Sequence, residues 1–343
     1  MRFSALLAMS VLALTACPEP LPPAEVPDGG PQVPGILGGP CASGGVCNDD
    51  LVCNANDICV IAAEGEGEGE GEGEGEGEAC DDADNDGSCA EDDCDDNDRN
   101  RFPGNNERCS FIDENCNDAL NDDLDCTFVA HTRDQLFKID PFAQRSFFLR
   151  SVTLVDDSGL LDIDIDVDGT LKGATADGIY RIEDNGALTV IADVAAPTRT
   201  NGICITGEGT LFLTNDDGVD SAAWRVAGQS ITEVGGFSGG LVSSGDCVVT
   251  KEEDVLMSAK DPQNAAAFDR LVLVDAATGA TSDVGDIGFA RVFGLSASFG
   301  FLFGVTVEGQ VLEIDRATGA GRVLFVASDA GTPIRFGGAA NGD

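Results

Sequence analysis

The chain has little of what most enzymes and nucleic-acid binders rely on. One His, one Trp and one Tyr stand among 343 residues, and only 19 Lys and Arg face 62 Asp and Glu. The resulting net charge of −43 excludes nucleic acid and anionic lipid headgroups as partners, because both are held by basic surface. With a single Trp and a single Tyr, no sugar-stacking site is expected. No Ser/His/Asp or Cys/His constellation, Walker loop or dinucleotide fingerprint occurs. Beyond the first residues, no apolar run approaches the ~18 residues that a membrane helix needs.

What is present begins at the N-terminus. Arg2 is followed by the apolar run Phe3 to Leu14, too short to span a bilayer and suited to a signal peptide. It ends Leu14-Thr15-Ala16-Cys17 and is followed by Pro18. This resembles a bacterial lipobox, which implies a signal over 1–17 and a lipid on Cys17. With Pro18 in place of Asp, the resemblance implies the outer membrane, on its periplasmic or cell-surface side. The bland alternative is an ordinary signal peptide with a coincidental Cys.

Residues 18–40 hold eight of the 13 prolines and read as an extended stalk. Cys41, Cys47, Cys53 and Cys59 follow at a constant spacing of six. Residues 41–60 are too few to bury a core, so disulfides must hold them. The segment resembles the four-Cys modules of secreted bacterial surface proteins. A zinc site is the alternative, disfavoured by the lack of C-x-x-C pairs and of His. Residues 61–79 contain a strict Glu-Gly alternation from Glu64 to Glu78, which cannot form a core and reads as a solvated spacer.

Cys80 to Cys126 is the most informative stretch. Its 47 residues hold 17 Asp or Glu, three Arg and six Cys. Carboxylates at this density repel one another unless cations sit between them. Asp82, Asp84, Asp86 and Asp93 occupy positions 1, 3, 5 and 12 of a twelve-residue loop, with Gly87 at position 6 for the sharp turn. Alternate side chains of a curled loop, with the Ser88 carbonyl, can surround a calcium ion. Asp95, Asp96 and Asp98 would extend this site or serve a second ion. Magnesium fits less well because it holds its waters, and copper less well because the ligands are oxygens. Over residues 82–118 the order of acids, Pro103-Gly104, Glu107, Cys109 and Asp113-Glu114-Asn115-Cys116 resembles the MopE-type metal-binding repeat. It is also similar to thrombospondin type 3 calcium repeats. Ser110-Phe111-Ile112, Cys89, and Asp93 in place of the EF-hand Glu depart from those patterns. Cys80, Cys89, Cys94, Cys109, Cys116 and Cys126 read as three disulfides of undetermined pairing. An acidic stapled loop without metal is the bland alternative.

From residue 127 to 343 the pattern is strand-like, with Gly/Asp/Asn turns every 8–12 residues. Segments beginning at Phe128, Leu171, Leu211, Leu256 and Leu302 recur at spacings of 43, 40, 45 and 46. Each is followed by a second strand and most by a third, and all but the first are preceded by one. A period near 43 with four strands predicts a β-propeller, here all-β with five blades. The chain's end, from Ile334, matches the missing inner strand, so it should complete the first blade and close the ring. An open sheet stack or β-sandwich is the alternative. Ala276 to Ala280 and Ala317 to Ala320 resemble the LYRIDPATGA repeat of bacterial propellers, which many functions share. Cys204 and Cys247 fall on inner strands of consecutive blades and are expected to pair, buried free thiols being the alternative.

Thr200-Asn201-Gly202-Ile203 resembles a signature of gluconolactonase-like propellers, in which the Asn holds a catalytic calcium. Asp162, Asp164, Asp166 and Asp168 alternate along one strand and share a face, although the last two fit a turn before Gly169. The other acidic ligands of that family have no match, and His131 lies on a second strand with no nucleophile beside it in sequence. The expectation is therefore a lipid-anchored surface protein with a calcium module and a propeller that binds an unnamed protein or small molecule. A calcium-dependent propeller hydrolase is the alternative.

Overall fold

The computed structural model describes residues 51–53, 59–61 and 81–342, apart from 156–158, 177, 193–199, 217–220, 229 and 265–266. The expectations for Cys17, the stalk, Cys41, Cys47, the linker and Cys80 fall outside these residues. So do the side chains of Cys53 and Cys59. Two compact units are distinguished, 1–77 and 78–343. In the first, β1 (Leu51–Cys53) pairs antiparallel with β2 (Cys59–Ile61), with Cys53 opposite Cys59.

The second unit contains β3 (Phe128–His131), β4 (Gln135–Asp140), β5 (Arg145–Ser151), β6 (Asp162–Ile165), β7 (Leu171–Ala174), β8 (Ile179–Ile182) and β9 (Leu188–Ala192). There follow β10 (Thr200–Ile205), β11 (Leu211–Asn215), β12 (Ala222–Ala227), β13 (Ser230–Gly236), β14 (Val242–Val249), β15 (Val255–Lys260), β16 (Arg270–Val274) and β17 (Thr281–Asp286). The last are β18 (Val292–Ser298), β19 (Phe301–Thr306), β20 (Gln310–Ile314), β21 (Gly321–Val326), the short ribbon β22 (Ser328–Asp329) and β23 (Thr332–Pro333), and β24 (Gly338–Ala340). They form five four-stranded sheets in the orders β24-β3-β4-β5, β6-β7-β8-β9, β10 to β13, β14 to β17 and β18 to β21. These are blades one to five of a propeller, and no α-helix occurs among the described residues.

Closure follows the sequence expectation. Gly338, Ala339 and Ala340 pair with His131, Ala130 and Val129, so the chain's end is the inner strand of the blade that its beginning opens. The core is divided among the blade interfaces. Four clusters are mainly aliphatic, such as Leu136, Leu160, Ile163 and Ile182 between blades one and two. The fifth, between blades five and one, holds Phe128, Phe137, Phe142, Phe303 and Phe336. Phe128 stacks on Phe303 with centroids 5.6 Å apart.

The Ala-Thr-Gly-Ala motif has a packing cause. Gly279 has φ +74°, and a Cβ on it would lie 2.2 Å from the Gly235 carbonyl oxygen of the preceding blade. Gly319 faces Gly285 in the same way one blade on. The glycine pairs let each outer turn seat on the outer strand before it.

Residues 81–126 are a chain of turns stapled by disulfides Cys94–Cys116 and Cys109–Cys126, with Cα separations of 6.0 and 5.4 Å. Cys89 is also disulfide-bonded. Phe111, one of the departures from the repeat pattern, packs edge-on against Phe142 and Phe301, at 4.8 and 5.4 Å between centroids. The guanidinium of Arg322 lies over its ring. Lys138 pairs with Asp125 at the module's end. The module is thus seated on the aromatic seam between blades five and one.

If β24 closes the ring, Phe336→Ala should cost about 3–4 kcal/mol of stability, and deletion of residues 332–343 should lower the melting temperature of the whole propeller. An unchanged thermal melt of the truncated chain would refute the closure.

Candidate functional site

In the acidic loop carboxylate oxygens fold the backbone, both of them in Asp82 and one each in Asp84, Asp86 and Asp93. Asp82 accepts the amides of Asn85 and Gly87 at 2.7 and 3.2 Å. Asp84 accepts that of Asp86, Asp86 that of Ser88, and Asp93 that of Asp95. Asn85 and Gly87 take positive φ, 63° and 98°, to make the curl. The second oxygens of Asp84, Asp86 and Asp93 are buried and lack a hydrogen-bond partner. Asp82, Asp84 and Asp86 offer oxygens that lie within 4.8 Å of one another. Desolvation, then the neighbouring charges of Asp86, Asp93 and Asp82, push the Asp84 carboxyl above its ordinary range. Asp93 does not fall within 4.8 Å of all three; the orphaned oxygens of Asp84 and Asp86, with Asp82 beside them, suit a hard divalent cation.

The other acids expected here have protein partners. Asp96 accepts the Ala83 amide and buttresses the loop. Asp95 faces Arg101 at 3.7 Å, and Asp98 accepts the amide of Asn100. Among the described residues these three are not gathered round a second point. A second curl at Asp113, Asn115 and Asn117 repeats the first, with positive φ at Cys116 and Asp118. It closes on itself, because the amide nitrogens of Asn115 and Asn117 donate to Asp122. The D-x-N-x-N spacing signals it in the sequence.

The propeller axis holds a separate polar cluster. The inner strand of each blade has a free edge there, and its amides need partners where water does not reach. Carboxylates supply them. Asp162 accepts Ile203 N and Asp164 accepts Ile205 N, both at 2.8 Å, which ties blade two to blade three. Asp246 accepts Leu295 N at 2.6 Å, and Asn341 accepts Ala297 N at 2.6 Å. Asn201 donates to the Ser243 carbonyl at 3.0 Å. The Cys204–Cys247 disulfide, Cα atoms 5.5 Å apart, joins blades three and four. The alternation Asp162, Asp164 is therefore edge-capping, while Asp166 and Asp168 lie in the following turn, as expected.

His131 lies on the second strand of its blade, and the ring sets an acid from the next blade beside it. It is fully buried, its Nε2 is 3.8 Å from Asp162 Oδ1, and its Nδ1 donates to Thr132 O at 2.6 Å. Burial pushes it down to about 4. Burial, then the facing Asp246, raises Asp162 well above the carboxylate range, and burial also raises Asp246. Asp164 is pushed up by burial to about 7. One oxygen each of Asp162 and Asp246, and His131 Nε2, lack partners. A proton held between the two carboxyls would satisfy both oxygens. Among the described residues, no three of these donors lie within 4.8 Å of one another, the spacing that one metal ion would need.

Below this plug the axis opens into a depression of about 780 Å³. It is framed by the turns that join inner to second strands in blades two to five. Ile165, Ile205, Val249 and Ala297 line it with Phe299, Phe301 and Asn341, and it carries four carboxylates and two basic groups.

Fold and site together define a five-bladed β-propeller with a docked, cation-ready acidic module. No family model matches the chain, and no curated protein matches it in sequence. Solved structures with a similar course include a gluconolactonase from Xanthomonas campestris, with 12% identity, 63% of this chain and 74% of that chain covered and a TM-score of 0.41. A protein of unknown function from Bacteroides caccae has 12% identity, 61% and 76% covered and a TM-score of 0.39. A calcium-binding regucalcin from Agrobacterium tumefaciens has 15% identity, 59% and 69% covered and a TM-score of 0.35. Scores this low carry no argument about activity or ligand.

Calcium should raise the melting temperature of the full chain, by the equivalent of about 2.7 kcal/mol at a hundredfold excess over Kd, with magnesium much weaker. Asp84→Ala with Asp86→Ala should abolish most of that shift. An undiminished shift in the double variant would sink the assignment.

The axis predicts a pH dependence with a definite sign. Carboxyls raised on folding contribute stability that is complete below their unfolded value and lost as pH rises, for Asp164 through about 7. His131, lowered on folding, contributes above its unfolded value and loses that as pH falls through about 4. Three carboxyls oppose one His, so the net loss is toward high pH. Asp162→Asn keeps an acceptor for Ile203 N and gives Asp246 a permanent donor. Its melting temperature should exceed wild type at pH 8, by the equivalent of about 1–2 kcal/mol, and match it more closely at pH 5. A lower melt at both pH values would refute the shared proton.

Proposed function

We propose that this is a lipid-anchored surface protein of the outer membrane, in which a calcium-loaded module braces a propeller that serves as a binding platform for a protein or small-molecule ligand. The observation that carries the calcium reading is the set of buried, unpartnered oxygens of Asp84, Asp86 and Asp93. Asp82, Asp84, Asp86 and Asp93 would hold the ion with the Ser88 carbonyl. The ion would neutralise their repulsion and fix the curl. Asp96 would steady the loop from outside, through the Ala83 amide.

The platform reading is supported by the axis. Asp162 and Asp246 are fully buried and engaged with backbone amides, whereas the depression below them is open. The buried axial acids Asp162, Asp164 and Asp246 are out of a substrate's reach and give the hydrolase alternative no support. The anchor rests on Leu14 to Cys17 and the Pro-rich segment after it. Cys17→Ser should move the protein from the membrane to the soluble fraction and abolish labelling by a fatty-acid analogue. Retained labelling would end the lipoprotein reading.

A further inference from the structure

Three of the four turns that frame the axial depression share one geometry. In blades two, three and four the fourth turn residue donates its amide to the carbonyl of the first: Gly169 to Asp166, Gly209 to Thr206 and Glu253 to Thr250. That fourth position needs positive φ. Gly169 and Gly209 take it at 79° and 77°, and Glu253 takes it at 66°. A side chain there costs about 1–2 kcal/mol that a glycine would avoid. The blade-five turn repeats the pattern with a different residue. Phe299, at φ +57°, precedes Gly300 at +84°, in a tight hairpin where Asn or Gly is the usual choice.

Both residues line the depression. One is a carboxylate and the other an aromatic ring. Local packing accounts for part of this: Phe299 meets Phe142 at 5.9 Å, and one Glu253 oxygen accepts Gly207 N at 3.3 Å. The second Glu253 oxygen remains available beside the apolar floor of Ile165, Ile205, Val249 and Ala297. Of the other carboxylates, Glu252 is neutralised by Arg316 at 2.7 Å and Asp166 by Lys172. Asp168 accepts the amide and the side chain of Thr170 and lies near Lys172, and Lys251 stands on the same rim. The charge left over is acidic, and the strongly acidic module sits against the same side through Phe111 and Phe301.

An aromatic face, carboxylates and an aliphatic floor are the elements that recognise an alkyl-ammonium or guanidinium side chain. The volume exceeds one side chain and fits a few residues. We infer that the depression receives a short basic peptide segment, one Lys or Arg of which lies along the floor with its charge toward Glu253 and Asp168. This rests on the platform reading and gives it a ligand class.

The test uses the full chain and fluorescence anisotropy with labelled acetyl-Gly-Lys-Leu-Lys-Gly-amide and its counterpart with Glu in place of Lys, at 0.15 M salt. The Lys peptide should bind at least tenfold more tightly. Glu253→Gly should weaken it at least fivefold while leaving the melting temperature equal or higher, because the turn prefers glycine. Asp118→Asn removes the same charge from the module and should change nothing. Equal affinity for the two peptides, an unaltered affinity in Glu253→Gly, or an equal loss in Asp118→Asn overturns the inference. Val167→Trp, at an exposed position of the same mouth, separates the two readings. If it blocks capture of envelope proteins on the propeller while the Lys peptide fails to bind, only the basic ligand is refuted. If capture is indifferent to it, the platform at this mouth is refuted as well.

Discussion

Five inner strands turn their free edges toward one axis, and those edges must be satisfied where the side chains around them are buried. Much of the structure follows from how this chain meets that demand. Amides of Ile203, Ile205, Leu295 and Ala297 are taken by Asp162, Asp164, Asp246 and Asn341 from other blades. Each bond is a cross-blade tie as well as a satisfied donor. The last inner strand, β24, is also the last strand of the chain, so the ring and its polar centre are completed together. Asn341, just past that strand, bonds blade five through Ala297 N and blade four through Val249 O.

Carboxylates suit the edges but crowd one another, and the two crowded places in this protein resolve the repulsion differently. On the axis, burial favours the uncharged form, so a proton would neutralise the pair. In the acidic loop the carboxylates are partly exposed and three oxygens are left without donors. There a bound cation would be the neutraliser. The same residue type thus carries a structural role in one place and, on the proposed reading, would carry a binding role in the other, decided by access to water.

The period near 43, the five blades and the closure by the chain's end are legible in the sequence because each is a local pattern repeated. The curl of Asp82, Asp84, Asp86 and Gly87 is legible for the same reason, since its contacts lie within a dozen residues. What escaped is what depends on ring geometry. His131 reads as an isolated second-strand residue, because its partner Asp162 comes from the next blade. Asp246 looks like an ordinary strand residue beside Cys247 until the ring sets it against Asp162. Phe111 looks like an error in a metal-binding repeat. It is the residue that seats the module, and a repeat free in solution would have no use for it.

That seat places the cation loop in mechanical series with the closing seam. Cys109, beside Phe111, is bonded to Cys126, two residues before β3 begins. Cys94, beside Asp93, is bonded to Cys116 in the second curl. Two covalent links therefore connect the acidic loop to the segment that leads into the strand on which β24 closes. The seam it reaches is the aromatic one, where Phe128 and Phe303 stack and Phe142 receives Phe111. The ring is closed at this seam by strand pairing rather than by continuous chain. In this molecule the acidic module is docked on that side, so a cation bound in the loop would stabilise the joint through the module without touching the blades.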